Sequence, residues 1–292
     1  MFTPLSVRTD GCPRNVRCYK ADVKDALLEH QLRKRAPGDQ GEPPEVPVVY
    51  QDDALLLVDK PAGLALHPTA RYYFSTLTRA LQTRHRNAAG EKPDPAHRLD
   101  RETSGLVACG RAPRWTRILK AAFAARRVEK SYLALVEGIP QRDEFDVDLP
   151  LEVGGGRVKV KARVDPQGAP ALTSCQVLRR LRGVSLLRCL PRTGRQHQIR
   201  AHLLAAGFPL VGDKLYGPSE EIFLRLAESG GTPAPPGEFD QLITAEERAG
   251  LRHWRQALHA EELILQHPAT GERMRFVAPL PADLSELIEQ LS

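Results

Sequence analysis

One short segment of the chain concentrates groups that can perform acid–base or nucleophilic chemistry. His97–Gly105 reads HRLDRETSG, so Asp100 stands between Arg98 and Arg101 and precedes a Thr-Ser-Gly turn. Neighbouring guanidinium groups favour the carboxylate form, and we expect Asp100 to be ionised at pH 7. An ionised carboxylate in a cationic setting suits a nucleophile or general base better than a general acid. Taken alone, these residues fit a turn-capping Asp with a surface ion pair equally well.

A second segment combines cations with a predicted strand-to-helix turn. We expect a strand over Val184–Leu190, a turn over Pro191–Arg195 and a helix over Gln196–Ala206 that Gly207 closes. The Thr-Gly-Arg turn would place backbone N–H groups and a cation at the N-terminus of this helix. Such an arrangement attracts anions.

The spacing of polar residues on this helix argues against a metal site. Gln196 and Arg200 are four apart and would share a face, whereas His197 and His202 diverge by more than roughly 100°. The chain also lacks the H-E-x-x-H zinc pattern, the H-x-E with P-C-x-x-C deaminase pattern and the phosphate-binding G-x-x-x-x-G-K-[ST] loop. We expect neither a metal ion nor a P-loop nucleotide site.

The cysteines give no sign of a disulfide framework. They are an odd number, widely spaced and without a C-x-x-C pair: Cys12, Cys18, Cys109, Cys175 and Cys189. Cys109 and Cys189 lie in apolar runs, which predicts buried structural thiols.

Charge is segregated along the 292 residues, although the total is only +6. Arg98–Lys130 carries nine Lys and Arg against three acids, and Arg157–Arg200 carries eleven against one. These two windows hold a net +16 and leave −10 for the rest of the chain. This pattern predicts a basic face for a polyanion. The alternative is that both windows are solvated faces of ordinary helices and strands.

The apolar pattern predicts an α+β fold with a mainly antiparallel sheet, because strands cluster without regular β-α alternation. The clearest helix covers 113–127, with an apolar stripe of Trp115, Ile118, Leu119, Ala122 and Phe123. Arg157–Val164 alternates small apolar residues with four cations, which is typical of a strand. Other expected elements are strands at Val46–Tyr50, Ala54–Val58 and Tyr132–Val136, a helix at Thr76–Gln82, and a hairpin of Leu263–Gln266 with Met274–Val277.

The domain organisation follows from composition. Residues 1–45 end in a Pro/Gly-rich stretch and predict a short N-terminal extension and linker ahead of one domain over 46–292. Residues 217–256, rich in Pro, Gly and acids, predict a surface insertion. Apolar runs reach about five residues against the roughly 18 that a membrane-spanning helix needs. With no secretory signal pattern, we expect a cytoplasmic protein without membrane contact.

Six segments stand out by their composition and order: Leu57–Pro68 (LVDKPAGLALHP), His97–Leu106 (HRLDRETSGL), Glu129–Gly138 (EKSYLALVEG), Thr193–Arg200 (TGRQHQIR), Gly207–Gly217 (GFPLVGDKLYG) and Leu258–Ala260 (LHA). With these segments the chain resembles the RluA-type family of RNA pseudouridine synthases between about Val48 and Leu280. Any one could arise by chance, but their common order is highly specific. The resemblance implies a pseudouridine synthase fold, with helices flanking a mixed sheet and an active-site cleft across it.

The resemblance also implies roles for particular residues. The family's nucleophilic aspartate falls on Asp100, its active-site tyrosine on Tyr132, and the arginine that pairs with the aspartate on Arg200. We expect the bound RNA to be contacted by a further set of side chains: Arg98, Arg101, Thr103, Lys130, Arg195 and His197. Many family members carry an N-terminal S4-type RNA-binding module. Residues 1–45 lack its apolar pattern, so no complete module is expected.

The implied reaction isomerises specific uridines in ribosomal or transfer RNA to pseudouridine without a cofactor or metal. The target base must leave its stack before it can react. The sequence leaves open whether the aspartate attacks the base, attacks C1′ or removes a sugar proton. We expect a monomer whose partner is RNA.

Two other functions fit parts of the sequence. One is a catalytically silent RNA-binding or ribosome-assembly protein of the same fold. Such a protein would be free to lose Asp100, Tyr132 and Arg200, yet all three are present. The other is a hydrolase that uses His97 with Asp100, but no partnered Ser or Cys nucleophile is visible.

Overall fold

The computed structural model of the chain describes residues 43–69, 72–228 and 236–292. Its strands are β1 (Val48–Gln51), β2 (Leu55–Lys60), β3 (Asp94–Pro95), β4 (Ser104–Gly110), β5 (Glu129–Glu137), β6 (Glu144–Asp148), β7 (Leu151–Val153), β8 (Ala162–Val164), β9 (Leu172–Arg180), β10 (Val184–Pro191), β11 (Leu258–Gln266) and β12 (Arg273–Val277). Its helices are α1 (Leu77–Arg84), α2 (Pro113–Ala124), α3 (Gln198–Ala205), α4 (Glu220–Glu228), α5 (Pro236–Leu242), α6 (Ala245–Leu251) and α7 (Ala282–Gln290).

One large sheet organises these elements. Ten strands follow the order β1-β2-β4-β11-β5-β10-β9-β6, with β12 beside β11 and β3 beside β4. Within the described ranges its pairings are antiparallel apart from the parallel pair β4–β11. Strands β7 and β8 form a separate small sheet. The predicted α+β class with a mainly antiparallel mixed sheet is therefore confirmed.

The central strands are apolar on both faces because helices cover the sheet on both sides. On β2, Leu56 and Val58 belong to a buried cluster that includes Leu77 of α1. Leu55 and Leu57 point the other way, into a cluster that α2 completes. A run of five apolar residues, rather than strict alternation, is what a doubly covered strand requires. Each fully buried leucine contributes roughly 2 kcal/mol of transfer free energy.

The predicted helix over 113–127 is shorter and differently oriented than its apolar pattern suggested. It ends at Ala124, and Arg126 has a left-handed backbone with φ 59°. Ile118, predicted on the buried stripe, is 44% exposed. The reason is the close approach of α2 to Gly110, where the Thr116 hydroxyl donates to the Gly110 carbonyl at 3.2 Å. This contact turns Thr116 and Leu119 toward the sheet and Ile118 away from it.

The prediction of one strand over Arg157–Val164 is wrong. The strand there is the three-residue β8, and residues 157–160 form bends and turns. The left-handed glycines Gly154 and Gly155 precede this stretch and break the extended backbone. Its predicted cationic face is neutralised in part, since Arg157 pairs with Glu221 and Lys161 pairs with Glu220 at 3.0 Å.

Residues 217–256, the predicted insertion, contain α4, α5 and α6. These helices share a small apolar cluster of Ile222, Leu226, Phe239, Ile243 and Leu251, with Trp254 packed against it. Residues 1–42 of the predicted extension, with Cys12 and Cys18, lie outside the described residues, so both domain assignments stay predictions. The predicted burial of Cys109 and Cys189 is confirmed, because both are 0% exposed. Within the described ranges, no helix has the length and apolar character needed to span a bilayer.

Gly105 provides a direct test of the β4–β11 pairing. Its φ is +112°, and a Cβ placed there would lie 2.3 Å from the Ala260 carbonyl oxygen. We expect Gly105→Ala to lower the free energy of unfolding by about 3 kcal/mol or more, since strain and overlap with fixed backbone add together. Gly271→Ala is the matched control, with φ +76° but no atom within 4 Å of its Cβ. It should cost about 1 kcal/mol. Equal losses in urea unfolding would contradict this account of the pairing.

Candidate active site

Asp100 lies on the loop between β3 and β4, where two surface clefts meet. The first cleft, about 480 Å³, lies between α2 and the segment Pro191–Arg200, with Tyr132 and Leu258 of the sheet between them. This volume is typical of sites that take one small organic group. The second cleft, about 620 Å³, shares Arg98, Leu99, Asp100, Gln196, His197 and Arg200 with the first. A continuous groove therefore passes over Asp100.

The Asp100 carboxylate is held from one side. Arg200 Nη1 donates to Asp100 Oδ2 at 2.8 Å, and the Gln256 amide approaches the same oxygen at 3.5 Å. Burial opposes ionisation of Asp100, but the charge and hydrogen bond of Arg200 outweigh it and keep the pKa below its usual 3.8. Asp100 is therefore ionised at neutral pH.

The second oxygen of Asp100 faces His197. His197 Nε2 lies 3.7 Å from Asp100 Oδ1, which is too long for a hydrogen bond. Burial lowers the pKa of His197 to about 4, although the charge of Asp100 favours protonation. His197 is consequently neutral at pH 7, and Arg200 is the cation that stabilises the Asp100 charge.

Arg200 is itself fixed by a second carboxylate. Its Nε and Nη2 donate to the two oxygens of Asp213 at 2.7 and 2.9 Å. Asp213 is 0% exposed and also accepts the backbone N–H groups of Leu215 and Tyr216, both at 3.0 Å. The Tyr216 ring lies against the guanidinium, 4.8 Å from the Arg200 Cζ. This bidentate geometry leaves Nη1 as the donor for Asp100.

Lys60 ties the Asp100 loop to the turn that follows β2. Its ammonium group is buried and donates to the carbonyls of Arg101 at 3.0 Å, Leu64 at 3.0 Å and Pro61 at 2.9 Å. Burial, helped by nearby cations, lowers the pKa of Lys60 to about 7. The three carbonyls satisfy the hydrogen-bonding capacity of this buried lysine.

Arg255 ties the same loop to the C-terminal helix. Its Nη1 donates to the carbonyls of Glu102 at 3.2 Å and Leu258 at 3.3 Å. The Asp283 carboxylate of α7 accepts from Nε at 2.6 Å and from Nη2 at 3.0 Å. The Glu102 side chain also accepts from Lys214 at 2.9 Å. The backbone after Asp100 is thus held by buried cations.

Thr103 is placed to orient Asp100 rather than to face solvent. It is 2% exposed, and its hydroxyl accepts a hydrogen bond from the Gln256 amide at 2.7 Å. The same amide faces Asp100 Oδ2. Thr103 and Gln256 therefore form a short polar link behind the carboxylate.

Tyr132 lies on β5, opposite Cys189 of β10 and Ala260 of β11. It lines the first cleft together with Asp100 and is half-buried. Burial, and then the charge of Asp100, raise the pKa of Tyr132 well above its usual 10. Its hydroxyl stays protonated at neutral pH and its ring borders the cleft.

The remaining predicted RNA-contact residues line the two clefts. Lys130 and Arg195 border the first, Arg101 borders the second, and the exposed Arg98 borders both. Arg101 Nη1 also donates to the Tyr72 hydroxyl at 2.5 Å. The four cations therefore surround Asp100 on both sides of the groove.

The turn before α3 differs from its prediction. The helix begins at Gln198, and His197 is its N-cap in a left-handed conformation with φ 52°. Gln196 is outside the helix, so the prediction that it shares a helical face with Arg200 is wrong. The Arg195 N–H donates to the Gln198 side chain at 3.0 Å. Because this internal contact occupies it, that N–H is not open to an anion as predicted.

His97 is engaged in a way that the hydrolase hypothesis does not allow. Its Nε2 accepts the Ala108 N–H at 3.0 Å, and its ring stacks on Phe123 with a centroid distance of 4.3 Å. Burial lowers the pKa of His97 to about 3. A neutral ring with this nitrogen occupied is a structural element of the cleft wall.

Sequence reasoning missed Asp213, Tyr216 and Gln256. The first two lie in the quoted segment Gly207–Gly217, where one acid among apolar residues was a usable signal. Gln256 lies two residues before the quoted Leu258–Ala260 and gave no signal of its own. Among residues 43–69, 72–228 and 236–292, no group of three or more His, Cys, Asp or Glu could hold a metal ion.

Comparison with known proteins identifies the family to which this chain is similar. The family model described as RNA pseudouridylate synthase matches residues 54–205. The ribosomal large subunit pseudouridine synthase D of Xanthomonas campestris pv. campestris is 38% identical over 252 residues, covering 85% of this chain and 71% of that protein. The protein of the same name from Zymomonas mobilis is 33% identical over 289 residues, covering 95% and 80%. The solved structure of human RNA pseudouridylate synthase domain containing 4 has a similar fold, with a TM-score of 0.63 at 24% identity over 93% of this chain and 97% of that chain.

The Arg200–Asp213 pair yields a stability prediction. In Asp213→Asn, an uncharged amide replaces one of the two carboxylates that neutralise Arg200, and the amide N–H can face a guanidinium N–H. The buried cation then keeps only Asp100 as an acidic partner among the described residues. We expect the free energy of unfolding to fall by about 3 kcal/mol, as when one partner of a buried ion pair is removed. Asp240→Asn, which breaks an exposed pair with Arg248 at 3.0 Å, should change it by less than about 1 kcal/mol. Equal losses for the two variants in denaturant unfolding would refute the assigned role of Asp213.

Proposed function

We infer that this chain, which belongs to the RNA pseudouridylate synthase family, isomerises uridines of ribosomal RNA with Asp100 as its catalytic nucleophile. Family membership makes the protein an RNA pseudouridine synthase, an isomerase that acts on RNA. In the reaction the N1–C1′ bond of uridine breaks and a C5–C1′ bond forms. The proton on C5 leaves and N1 acquires a proton, so the reaction is balanced without a further reactant.

The single observation that supports Asp100 as the nucleophile is that the hydrogen bonds to its carboxylate go to only one of the two oxygens. Arg200 and Gln256 engage Oδ2, while the neutral His197 lies 3.7 Å from Oδ1, beyond hydrogen-bond distance. Oδ1 is therefore the oxygen left to react with the nucleoside. Because Arg200 keeps the carboxyl ionised, the nucleophile needs no separate base to activate it.

Arg200 and Tyr132 have complementary roles in this proposal. Arg200, fixed by Asp213, orients the carboxylate and keeps its charge. The Tyr132 ring borders the first cleft and gives the uracil a flat apolar surface on which to stack. Its protonated hydroxyl can donate a hydrogen bond close to the sugar.

The surrounding polar residues would bind the RNA on either side of the flipped nucleotide. Arg98, Arg101, Lys130 and Arg195 border the groove, where guanidinium and ammonium groups suit phosphate oxygens. His197 is neutral and would act as a hydrogen-bonding group rather than as a cation. Thr103 would act through Gln256 on the position of Asp100.

The names of the relatives support large-subunit ribosomal RNA as the substrate. A ribosomal substrate in turn supports a cytoplasmic enzyme. Asp100, Arg200 and Tyr132 all come from one chain, which supports a monomer as the active unit.

Asp100→Asn tests the nucleophile and the RNA class together. We expect the wild-type protein to release tritium from [5-³H]uridine-labelled, unmodified large-subunit ribosomal RNA and not from transfer RNA, because forming the C5–C1′ bond expels the C5 proton. The variant should bind the ribosomal RNA within about 3-fold of wild-type affinity, since the amide keeps the carboxylate shape. It should release no tritium.

Asp146→Asn, an exposed aspartate on β6, is the control and should remain fully active. Tritium release by Asp100→Asn would eliminate Asp100 as nucleophile. Release from transfer RNA alone would overturn the substrate class and leave the enzyme class standing.

Arg200→Gln tests the electrostatic role of Arg200 through the pH profile. Without the guanidinium, burial dominates and the pKa of Asp100 rises above 3.8 instead of lying below it. Wild-type activity should show no acid limb from Asp100 between pH 5 and 8, whereas the activity of the variant should fall as the pH decreases in this range. A variant that is slower by the same factor at every pH would show that Arg200 acts in another way.

A further inference from the structure

Helix α2 and the turn that follows it carry exposed cations with no acidic neighbour. Arg114, Arg117, Arg126 and Arg127 are exposed, and none of them forms an ion pair with any described residue. No Asp or Glu occurs anywhere from Arg111 to Val128. This surface, which we call the α2 basic face, consists of those four arginines.

The second basic window of the sequence differs sharply from this face. Most of its cations are paired with acids from elsewhere in the fold: Arg157 with Glu221, Lys161 with Glu220, Arg163 with Glu152, Arg180 with Asp143, Arg188 with Glu261, and Arg200 with Asp100 and Asp213. The folded protein therefore neutralises much of one window and leaves the α2 basic face uncompensated.

The helix geometry joins this face to the site. Lys120, Phe123 and Ala124 of α2 line the first cleft. Arg117 is three residues before Lys120 and seven before Ala124, so the three share one side of the helix at 3.6 residues per turn. Arg114 is one further turn along the same side. The positive surface thus continues outward from the wall of the cleft that contains Asp100.

Contacts within the fold account for only part of this surface: the Arg114 Cζ lies 4.6 Å from the centroid of the Trp115 ring, but this contact leaves the positive charge without an acidic partner. A cation in the first turn of a helix, where Arg114 lies, opposes the helix dipole and costs a few tenths of a kcal/mol. The like charges of Arg114 and Arg117, three residues apart, add a similar penalty. A surface that only needed solubility would mix acids with these cations.

We propose that the α2 basic face binds the phosphate backbone of the RNA that flanks the target uridine on the side of the first cleft. This inference rests on the proposed function. Arginine forks match phosphate oxygens bidentately, and the exposed Ala121 and Ala124 beside them leave room for a backbone to approach. The arginine–phosphate contact depends on charge and not on the identity of the bases. It therefore adds affinity and orientation without sequence preference.

The test compares two double variants with the same change of net charge. Arg114→Gln/Arg117→Gln removes two arginines of the face. Arg179→Gln/Arg182→Gln removes two exposed arginines beside the β9–β10 turn, about 23 Å along β10 from Pro191 in the first cleft. The dissociation constant is measured against salt concentration with unmodified large-subunit ribosomal RNA, and tritium release is measured at saturating RNA.

In the face variant, the slope of log Kd against log salt concentration should be about 2 units less steep than in the wild type. Binding at low salt should be roughly 10-fold weaker or more. Its turnover at saturating RNA should stay within 2-fold of wild type, because no reacting group is touched. The control pair should leave the slope unchanged. Arg114→Lys/Arg117→Lys, which keeps the charge, should recover most of the slope.

Equal slope losses in the two double variants would overturn the proposal, because general charge and not location would then govern binding. An unchanged slope in the face variant would also overturn it. A wild-type protein that binds this RNA but releases no tritium would refute the proposed function, while a lowered slope in the face variant would still support the RNA-binding face.

Discussion

The candidate active site depends on one guanidinium group shared between two carboxylates. Arg200 binds Asp213 with two of its nitrogens and Asp100 with the third. Three buried charges of this kind carry a net −1, and a lone Asp100 in the same place would be driven toward its neutral form by burial. Asp213 therefore determines where Arg200 can lie, and Arg200 determines whether Asp100 is charged. Asp100 owes its ionisation to Arg200, and Asp213 fixes the position of that guanidinium group.

Buried basic side chains hold the loop after Asp100 by donating to its backbone carbonyls. The loop after Asp100 exposes carbonyls to the interior, and unpaired buried carbonyls cost about 1–3 kcal/mol each. Lys60 and Arg255 supply the donors, and Asp283 compensates the charge of Arg255. The loop is thereby anchored to β2 at one end of the described chain and to α7 at the other. Anchoring the loop that carries Asp100 to two distant parts of the fold restricts the position of this carboxylate.

The sequence predicted the parts that depend on local patterns. The α+β sheet, the strand that contains Tyr132 and the proximity of Asp100 to Arg200 follow from alternation, motif order and family resemblance. It could not predict contacts set by tertiary packing. The close approach of Thr116 to Gly110 rotates α2 and exposes Ile118. The side chain of Gln198 accepts a hydrogen bond from the Arg195 N–H, which was predicted to bind an anion. Asp213 went unassigned because its partner lies 13 residues away across a turn.

Charge counted along the sequence and charge presented by the fold are different quantities. Two windows that both carry an excess of cations can be compared only once the partners of those cations are known, because an ion pair with a neighbouring acid removes most of the field that a polyanion would meet. The acids that neutralise Arg157 and Lys161 come from α4, about 60 residues further along the chain. On helix α2, Lys120 pairs with Asp94 at 2.7 Å, whereas Arg114 and Arg117 form no ion pair with a described residue. The helix forms a wall of the first cleft. The α2 basic face therefore adds exposed cations without an acidic partner among the described residues, beyond the four cations that border the groove itself.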